Sequence, residues 1–363
     1  MTAVAITGAG VLSAAGRAPA ELAAALSGTA TPECDPGEPG LGVPGFDTRA
    51  ELGRKGTSFF DRRTALAVVA CRAALEDAGI DLATADRKRV GIVLGTSAGS
   101  VKSSVEYAVE TFTQDRPHMV NPGLFPTTVM NCAAGQAAIW FGLRGVNATL
   151  AGGPLALVSV LRYGANLLST GQADVLLAGV VDELTPHAAW LARTTGLPAS
   201  TQPGEGGAVF TLSAARREAA PDAEILGVAL GFAPEFGDRP AALGRCVRRA
   251  LASAATVGAD RAGDVTTVSM RSTADERQDR AMWRAVCRAA EEAGARKPES
   301  LTTRRHAGDC GAATAALDLA ALIGRHRASG DLDGRLTVLA AHSPEGAVGA
   351  AVVRGWSRGP DQG

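Results

Sequence analysis

Side chains able to act as nucleophile or general base are few and far apart in this chain. Its six cysteines are Cys34, Cys71, Cys132, Cys246, Cys287 and Cys310, none in a Cys-x-x-Cys pair, and its five histidines are scattered. Zinc needs several such ligands gathered together, so no metal site is expected. Buried, reduced cysteines serving as small hydrophobes account for the pattern. Cys132 and Cys310 are the two candidates for a nucleophile, yet each lies in an Ala/Gly-rich segment where a small buried residue fits. His306, Asp309 and Cys310 stand close in sequence and suggest a triad in outline. Neighbours along a helix or turn do not face one another, so adjacency alone makes no constellation. Pro154 opens a long apolar run, a place where its missing N–H would have had no partner in a helix anyway.

The elements that must hold these residues are legible from hydrophobic periodicity. Residues 4–13 read as a buried strand ending in a glycine turn, followed by a helix over 20–26 and an exposed Pro/Gly-rich loop over 29–50. Helical spacing covers 63–78 and stops at Gly79. A buried strand follows at 90–95, then helices at 131–141 and 155–169. Strands are expected at 174–181, 206–213 and 225–232, with the charged stretch 214–222 before the last. The grammar then repeats: a helix at 243–255, a strand at 265–270, helices at 280–293 and 312–323, and strands at 336–341 and 347–354. Near-continuous apolar strands alternating with helices indicate sheets covered on both faces, hence an α/β layered fold. The second half echoes the first, with the boundary placed between 1–222 and 223–363.

Hydrophobic residues make up 46% and aromatics only 4%, so the core must be built from Ala, Val and Leu. A formal net charge of -1 gives no reason to expect nucleic acid or an anionic membrane as partner. No apolar run approaches the roughly 20 residues of a membrane span. No leader pattern opens the sequence, and a cytoplasmic protein is expected.

Several segments together resemble the β-ketoacyl synthase family of the thiolase superfamily. They are Ile6-Thr-Gly-Ala-Gly-Val-Leu-Ser13; Phe60-Asp-Arg62 leading to Ala74-Leu-Glu-Asp-Ala-Gly79; and Asn121-Pro122 with Phe125-Pro-Thr-Thr-Val-Met-Asn131. Further on come Phe141-Gly-Leu-Arg-Gly145, Gly171-Gln-Ala-Asp-Val-Leu-Leu-Ala-Gly179 and Pro203-Gly-Glu-Gly-Gly-Ala208. The resemblance covers almost the whole chain. It implies a thiolase-like fold: two pseudo-repeated βαβαβ halves in a five-layer α-β-α-β-α arrangement.

The same resemblance exposes four departures. A ketosynthase places a cysteine at a helix N-terminus, where the helix dipole favours thiolate and free N–H groups hold an oxyanion. That position falls on Pro154. The first family histidine falls on Arg271, which stays protonated and cannot act as a base. The second falls on Asp309, with Arg304 at the family lysine; a shift of one residue would put Gly308 there instead. The late gating phenylalanine falls on Pro344. No catalytic residue is therefore expected, and Arg271 and Asp309 are expected to pair and fill the space of the two histidines.

Within the family the pattern resembles the chain-length factor, the inactive half of a type II polyketide ketosynthase heterodimer. Pro203-Gly-Glu-Gly-Gly-Ala208 and the Leu317-Asp318 helix favour that branch. Pro154 departs from the glutamine usual there, which points to a divergent branch making reduced or polyene chains. The implied partners are an active ketosynthase and an acyl carrier protein. The acyl group arrives on the carrier's phosphopantetheine, bound mainly by the active subunit, so no cofactor of its own is expected. The positions matching the family's interface and acyl tunnel are Val120, Leu124, Phe125, Thr128, Met130 and Cys132. The alternative is a malonyl-carrier decarboxylase, or a ketosynthase with relocated catalytic residues.

Overall fold

The computed structural model describes residues 2–28, 32, 37–214, 221–257, 265–271 and 275–358. Cys34, residues 215–220 of the charged link and residues 272–274 after Arg271 lie outside them. Ten strands form one sheet: β1 Val4–Ser13, β2 Val90–Thr96, β3 Asn147–Ala151, β4 Val175–Asp182, β5 Gly206–Ala214, β6 Ala223–Phe232, β7 Val265–Met270, β8 Glu299–Leu301, β9 Leu336–His342 and β10 Ala347–Gly355. The helices are α1 Pro19–Ser27, α2 Thr48–Leu52, α3 Arg62–Asp77, α4 Val101–Thr113, α5 Phe125–Thr128, α6 Cys132–Phe141, α7 Ala156–Ser169, α8 Pro186–Thr194, α9 Arg239–Thr256, α10 Glu276–Glu292, α11 Arg304–Ala307 and α12 Thr314–Ala328.

The strand order is β3-β2-β4-β5-β1-β6-β10-β9-β7-β8. Advancing each of the first five strand numbers by five and reversing the order gives the second half. Pairing direction repeats as well: β2 is parallel to β3 and β4 as β7 is parallel to β8 and β9. Likewise β5 is antiparallel to β1 and β4 as β10 is to β6 and β9. The halves meet where Val4–Ile6 of β1 pairs with Ala223–Ile225 of β6, a seam of only three residue pairs.

Five layers follow from the burial. One core lies between the sheet halves, built from α7, α12 and the inward faces of β1, β4 and β5, with Leu339 and Val353 from the far half. α3 and α6 cover the outer face of the first half, and α9 and α10 that of the second. Small residues let these layers approach. A Cβ at Gly10 of β1 would lie 2.0 Å from the Ala70 carbonyl of α3, so only glycine fits that crossing.

The long buried elements fall where periodicity puts them, and the exposed ones do not. β3 has the burial of an edge strand, half-covered at best, and carries no continuous apolar run. α4 and α8 turn few residues toward the core, so no inward stripe marks them. The expected loop over 29–50 is interrupted at its end by α2, which Asp47 caps by accepting from the Ala50 N–H at 2.8 Å.

Candidate functional site

Pro154 sits in a 3₁₀ turn, Gly153–Leu155, that leads directly from β3 into α7. Its ring occupies the first turn of the helix and offers neither donor nor nucleophile. That turn packs against a second one, Gly311–Ala313, which leads into α12 and follows Asp309. The degenerate positions are therefore neighbours in space although about 155 residues separate Pro154 from Asp309 in sequence.

Asp309 is buried and closed in by two guanidiniums. Arg271 donates through Nη2 at 2.9 Å and through Nε at 3.2 Å. Arg304 approaches the second carboxylate oxygen at 2.9 Å. The Gly311 N–H adds a bond at 3.0 Å. Burial lowers the pKa of Arg304, the Asp309 charge opposes that shift, and the nearby Arg271 charge adds to it. Removing the carboxylate would leave two facing cations, which makes the triangle a single unit.

Backbone pairing fixes Asp309 against the glycine motif. The Asp309 N–H donates to Gln202 O and the Gly204 N–H to Asp309 O, both at 2.8 Å. A Cβ at Gly204 would lie 2.3 Å from the Ala307 carbonyl, so the approach needs glycine. Next to it the fully buried Glu205 accepts from Arg62 Nε at 2.5 Å and Nη2 at 2.6 Å, and from the Val43 and Leu184 N–H groups at 3.1 Å.

Two further buried carboxyls position this region, and sequence patterns gave them no such role. Asp318 of α12 accepts from Ser269 Oγ at 2.7 Å and from Thr303 N and Oγ1 at 2.6 and 2.8 Å. It thereby fixes the segments carrying Arg271 and Arg304, while burial pushes its pKa up to about 6. Asp182, at the end of β4, accepts from Thr96 Oγ1, from Ser97 N and Oγ, and from the Ala312 N–H at 3.0 Å. The Leu317-Asp318 pair was visible as a family mark, but its bonding partners lie 15 and 49 residues away.

Neither candidate cysteine offers a ready thiolate. Cys310 is buried, its Sγ lies 3.4 Å from the Ala307 carbonyl, and burial pushes its pKa well up. Cys132 opens α6 with its Sγ 3.9 Å from Thr64 Oγ1, and burial followed by the Asp61 charge raises it too. Burial outweighs the favourable helix start. Among the described residues no three His, Cys, Asp or Glu side chains gather as a metal site would need.

The expected interface positions divide. Phe125 is 56% exposed and Met130 47% exposed, while Val120, Leu124 and Thr128 are half-buried and Cys132 faces inward. The Phe125 ring leans on Tyr107 of α4 with centroids 6.0 Å apart. The Met130 carbonyl accepts from Arg63 Nη2 at 2.7 Å, and Arg63 itself is fully buried. Further apolar residues are largely exposed on neighbouring helices: Phe112 on α4, Ile139 on α6 and Trp190 on α8. β3 is an edge strand that pairs only with β2 among the described residues. Exposed apolar residues gathered on neighbouring helices are the composition expected of an interaction site.

Residues 42–214 match the family model of the β-ketoacyl synthase N-terminal domain. Among curated proteins, the chain is similar to 3-oxoacyl-[acyl-carrier-protein] synthase 2 of Vibrio cholerae, 27% identical over 137 residues, 38% of this chain. The same enzyme of Staphylococcus aureus is 25% identical over 144 residues. These matches span about a third of the relatives' own length, 33% and 36%. Among solved structures, one titled the ishigamide ketosynthase/chain length factor is 32% identical, covering 98% of this chain and 100% of that one, with a TM-score of 0.84. A ketosynthase in complex with a type II polyketide synthase acyl-carrier protein shares the fold at 18% identity and a TM-score of 0.80. The fold is thus the thiolase-like fold of ketosynthases. The chain belongs to the β-ketoacyl synthase family.

Proposed function

We propose that this chain is the non-catalytic chain-length-factor subunit of a type II polyketide ketosynthase, working in the cytoplasm as a heterodimer with an active ketosynthase. The observation that carries this reading is the Arg271–Asp309–Arg304 triangle beside Pro154. A condensing enzyme needs a nucleophile and proton-transfer groups in that place. Here the carboxylate is bound by two permanently charged guanidiniums, and the helix start carries a proline. The full-length similarity to a ketosynthase/chain length factor structure supports the same branch. Among the described residues no helix is long and apolar enough to cross a membrane.

The exposed apolar surface around Phe125, Met130 and β3 is the seat for the active subunit. The wall formed by Val120, Leu124, Phe125, Thr128 and Met130 helps close the acyl tunnel and so limits the length of a polyketide, of the polyene type in the divergent branch. The growing chain arrives on the phosphopantetheine of an acyl carrier protein held mainly by the active subunit. Co-expression with the ketosynthase of the neighbouring gene tests this. A 1:1 complex that elongates chains, when neither subunit does so alone, is the expected result. Release of carbon dioxide from malonyl-carrier protein by the isolated chain would replace this reading with a decarboxylase or a relocated active site.

A further inference from the structure

The outer helices of the second half carry a charge pattern that neither the emptied site nor the apolar surface uses. Gly244 of α9 lies beside Ala285 of α10, and Arg248 of α9 bonds Glu292 of α10 at 2.9 Å, so the two helices run side by side in one direction. Between them lies a groove of about 500 Å³. Short residues, among them Ala241, Gly244, Ala281 and Ala285, form its floor, and the long side chains of Arg248, Arg284 and Arg288 rise along it. Packing does not require so bare a floor. A Cβ at Gly244 would meet Ala285 no closer than 3.5 Å, an ordinary contact.

The charges are unbalanced. Glu292 takes up Arg248, but Arg284 and Arg288 have no hydrogen bond or ion pair among the described residues. They stand four residues apart on an exposed face of α10, where like charges repel each other. An anionic partner would relieve that repulsion. The methyl floor adds a demand that a simple anion does not meet, namely apolar surface between the charges. The negative Glu292 lines the far end and breaks any continuous cationic stripe, which disfavours the evenly charged backbone of a nucleic acid. From Ala281 to Glu292 the groove follows ~17 Å of helix, room for about three turns of a partner.

We infer that the α9–α10 groove is a docking surface for an acidic amphipathic helix of a partner protein. The partner's small apolar side chains lie on the alanine floor and its carboxylates reach Arg284 and Arg288. The groove begins one turn beyond the N-terminus of α10, whose Asp279 faces His342 at 3.5 Å and influences Arg304. The near end of a protein docked there lies beside the end of α10 that borders the emptied site.

The test uses the full chain and a labelled helical peptide with glutamates on one face and Leu/Ala on the other, followed by fluorescence anisotropy. A version with lysine for every glutamate is the control. Binding of the acidic peptide alone, weakened on raising salt, is the expected result. Arg284→Glu together with Arg288→Glu weakens it at least about tenfold, the size expected for charge pairs across an interface. Ala241→Phe keeps every charge, fills the groove and weakens binding similarly. Unchanged melting temperatures show that the variants are folded; should the double charge reversal not fold, Ala241→Phe and the salt series still decide. Equal binding of both peptides, or full binding by Ala241→Phe, overturns the proposal. Tighter binding to duplex DNA or to vesicles of anionic phospholipid does so as well.

Discussion

Around Asp309 both carboxylate oxygens meet a guanidinium, whereas near Met130 another buried carboxyl, Glu183, has no salt bridge among the described residues. It accepts from Ser100 Oγ at 2.9 Å and from the Arg63 backbone N–H at 3.3 Å. The guanidinium of Arg63 is turned instead to the Met130 carbonyl. Asp61 lies close enough to add its negative charge, and its Oδ2 is buried without a hydrogen bond. Burial first, and Asp61 second, push the Glu183 pKa up to about 7. The first region sets a guanidinium against each oxygen of its carboxylate. The second sits under the exposed surface and is most comfortable with its carboxyl protonated.

The largest expected effect breaks the first region. Asp309→Ala strands two arginines against each other and should cost about 3–5 kcal/mol, the range for an uncompensated buried charge, read as a fall in the denaturant midpoint. Arg271→Ala leaves Asp309 with Arg304 and should cost less. A double variant well off the sum of the singles measures the coupling, and strict additivity would show that the triangle is not a unit. If Asp309→Ala were neutral, the emptied site would be a hydrated surface cleft.

A somewhat smaller effect belongs to Glu183. Its folded pKa lies above its unfolded value, so the unfolded chain loses its proton first as pH rises. Stability contributed at this site is then complete below about pH 4.5 and declines as pH climbs toward 7, by up to about 3 kcal/mol. Glu183→Gln keeps the shape and removes the proton, and its melting temperature should vary less between pH 5 and 8 than that of the unchanged chain. Identical pH profiles would mean that Glu183 is ionised and paired in solution, erasing the contrast between the two regions.

The smallest effect on the isolated chain and a clear one on assembly are expected at Phe125. With its ring 56% exposed, Phe125→Glu should leave the melting temperature nearly unchanged. The same change should weaken the complex with the active subunit at least tenfold, about 1.4 kcal/mol, by titration against that partner. Undiminished binding would move the interface elsewhere.

How much of this was legible in the sequence follows what each signal reports. Hydrophobic periodicity reports burial, so β2, β4, β7 and the long helices α3 and α7 were visible within a few residues. β3, α4 and α8 were not, because their apolar residues face outward or are only half-covered. The Pro154, Arg271 and Asp309 positions came from counting between motifs, and the pairing of Arg271 with Asp309 follows from placing opposite charges in one cavity. Arg304 was assigned to the family lysine's position, yet its grip on Asp309 depends on the turn at Gly308, which spacing does not encode. Asp182 and Glu183 are adjacent in sequence but serve different networks. Their partners come from the end of β2 and the segment after it, from α3 and from the turn before α12, contacts that only the folded topology creates.

The seam between β1 and β6 also constrains how the molecule is made. β1 is made before the other strands described, yet its two strand neighbours are β5 and β6, whose residues begin at Gly206 and Ala223. At roughly 5–20 residues per second, the apolar first strand waits on the order of 10–40 s for its first pairing partner. Throughout that interval its backbone donors and acceptors are open to other extended segments. β2, β3 and β4 can pair with one another by residue 182, so the sheet can start at one end while β1 joins late, which makes the nascent first half the stage most exposed to aggregation.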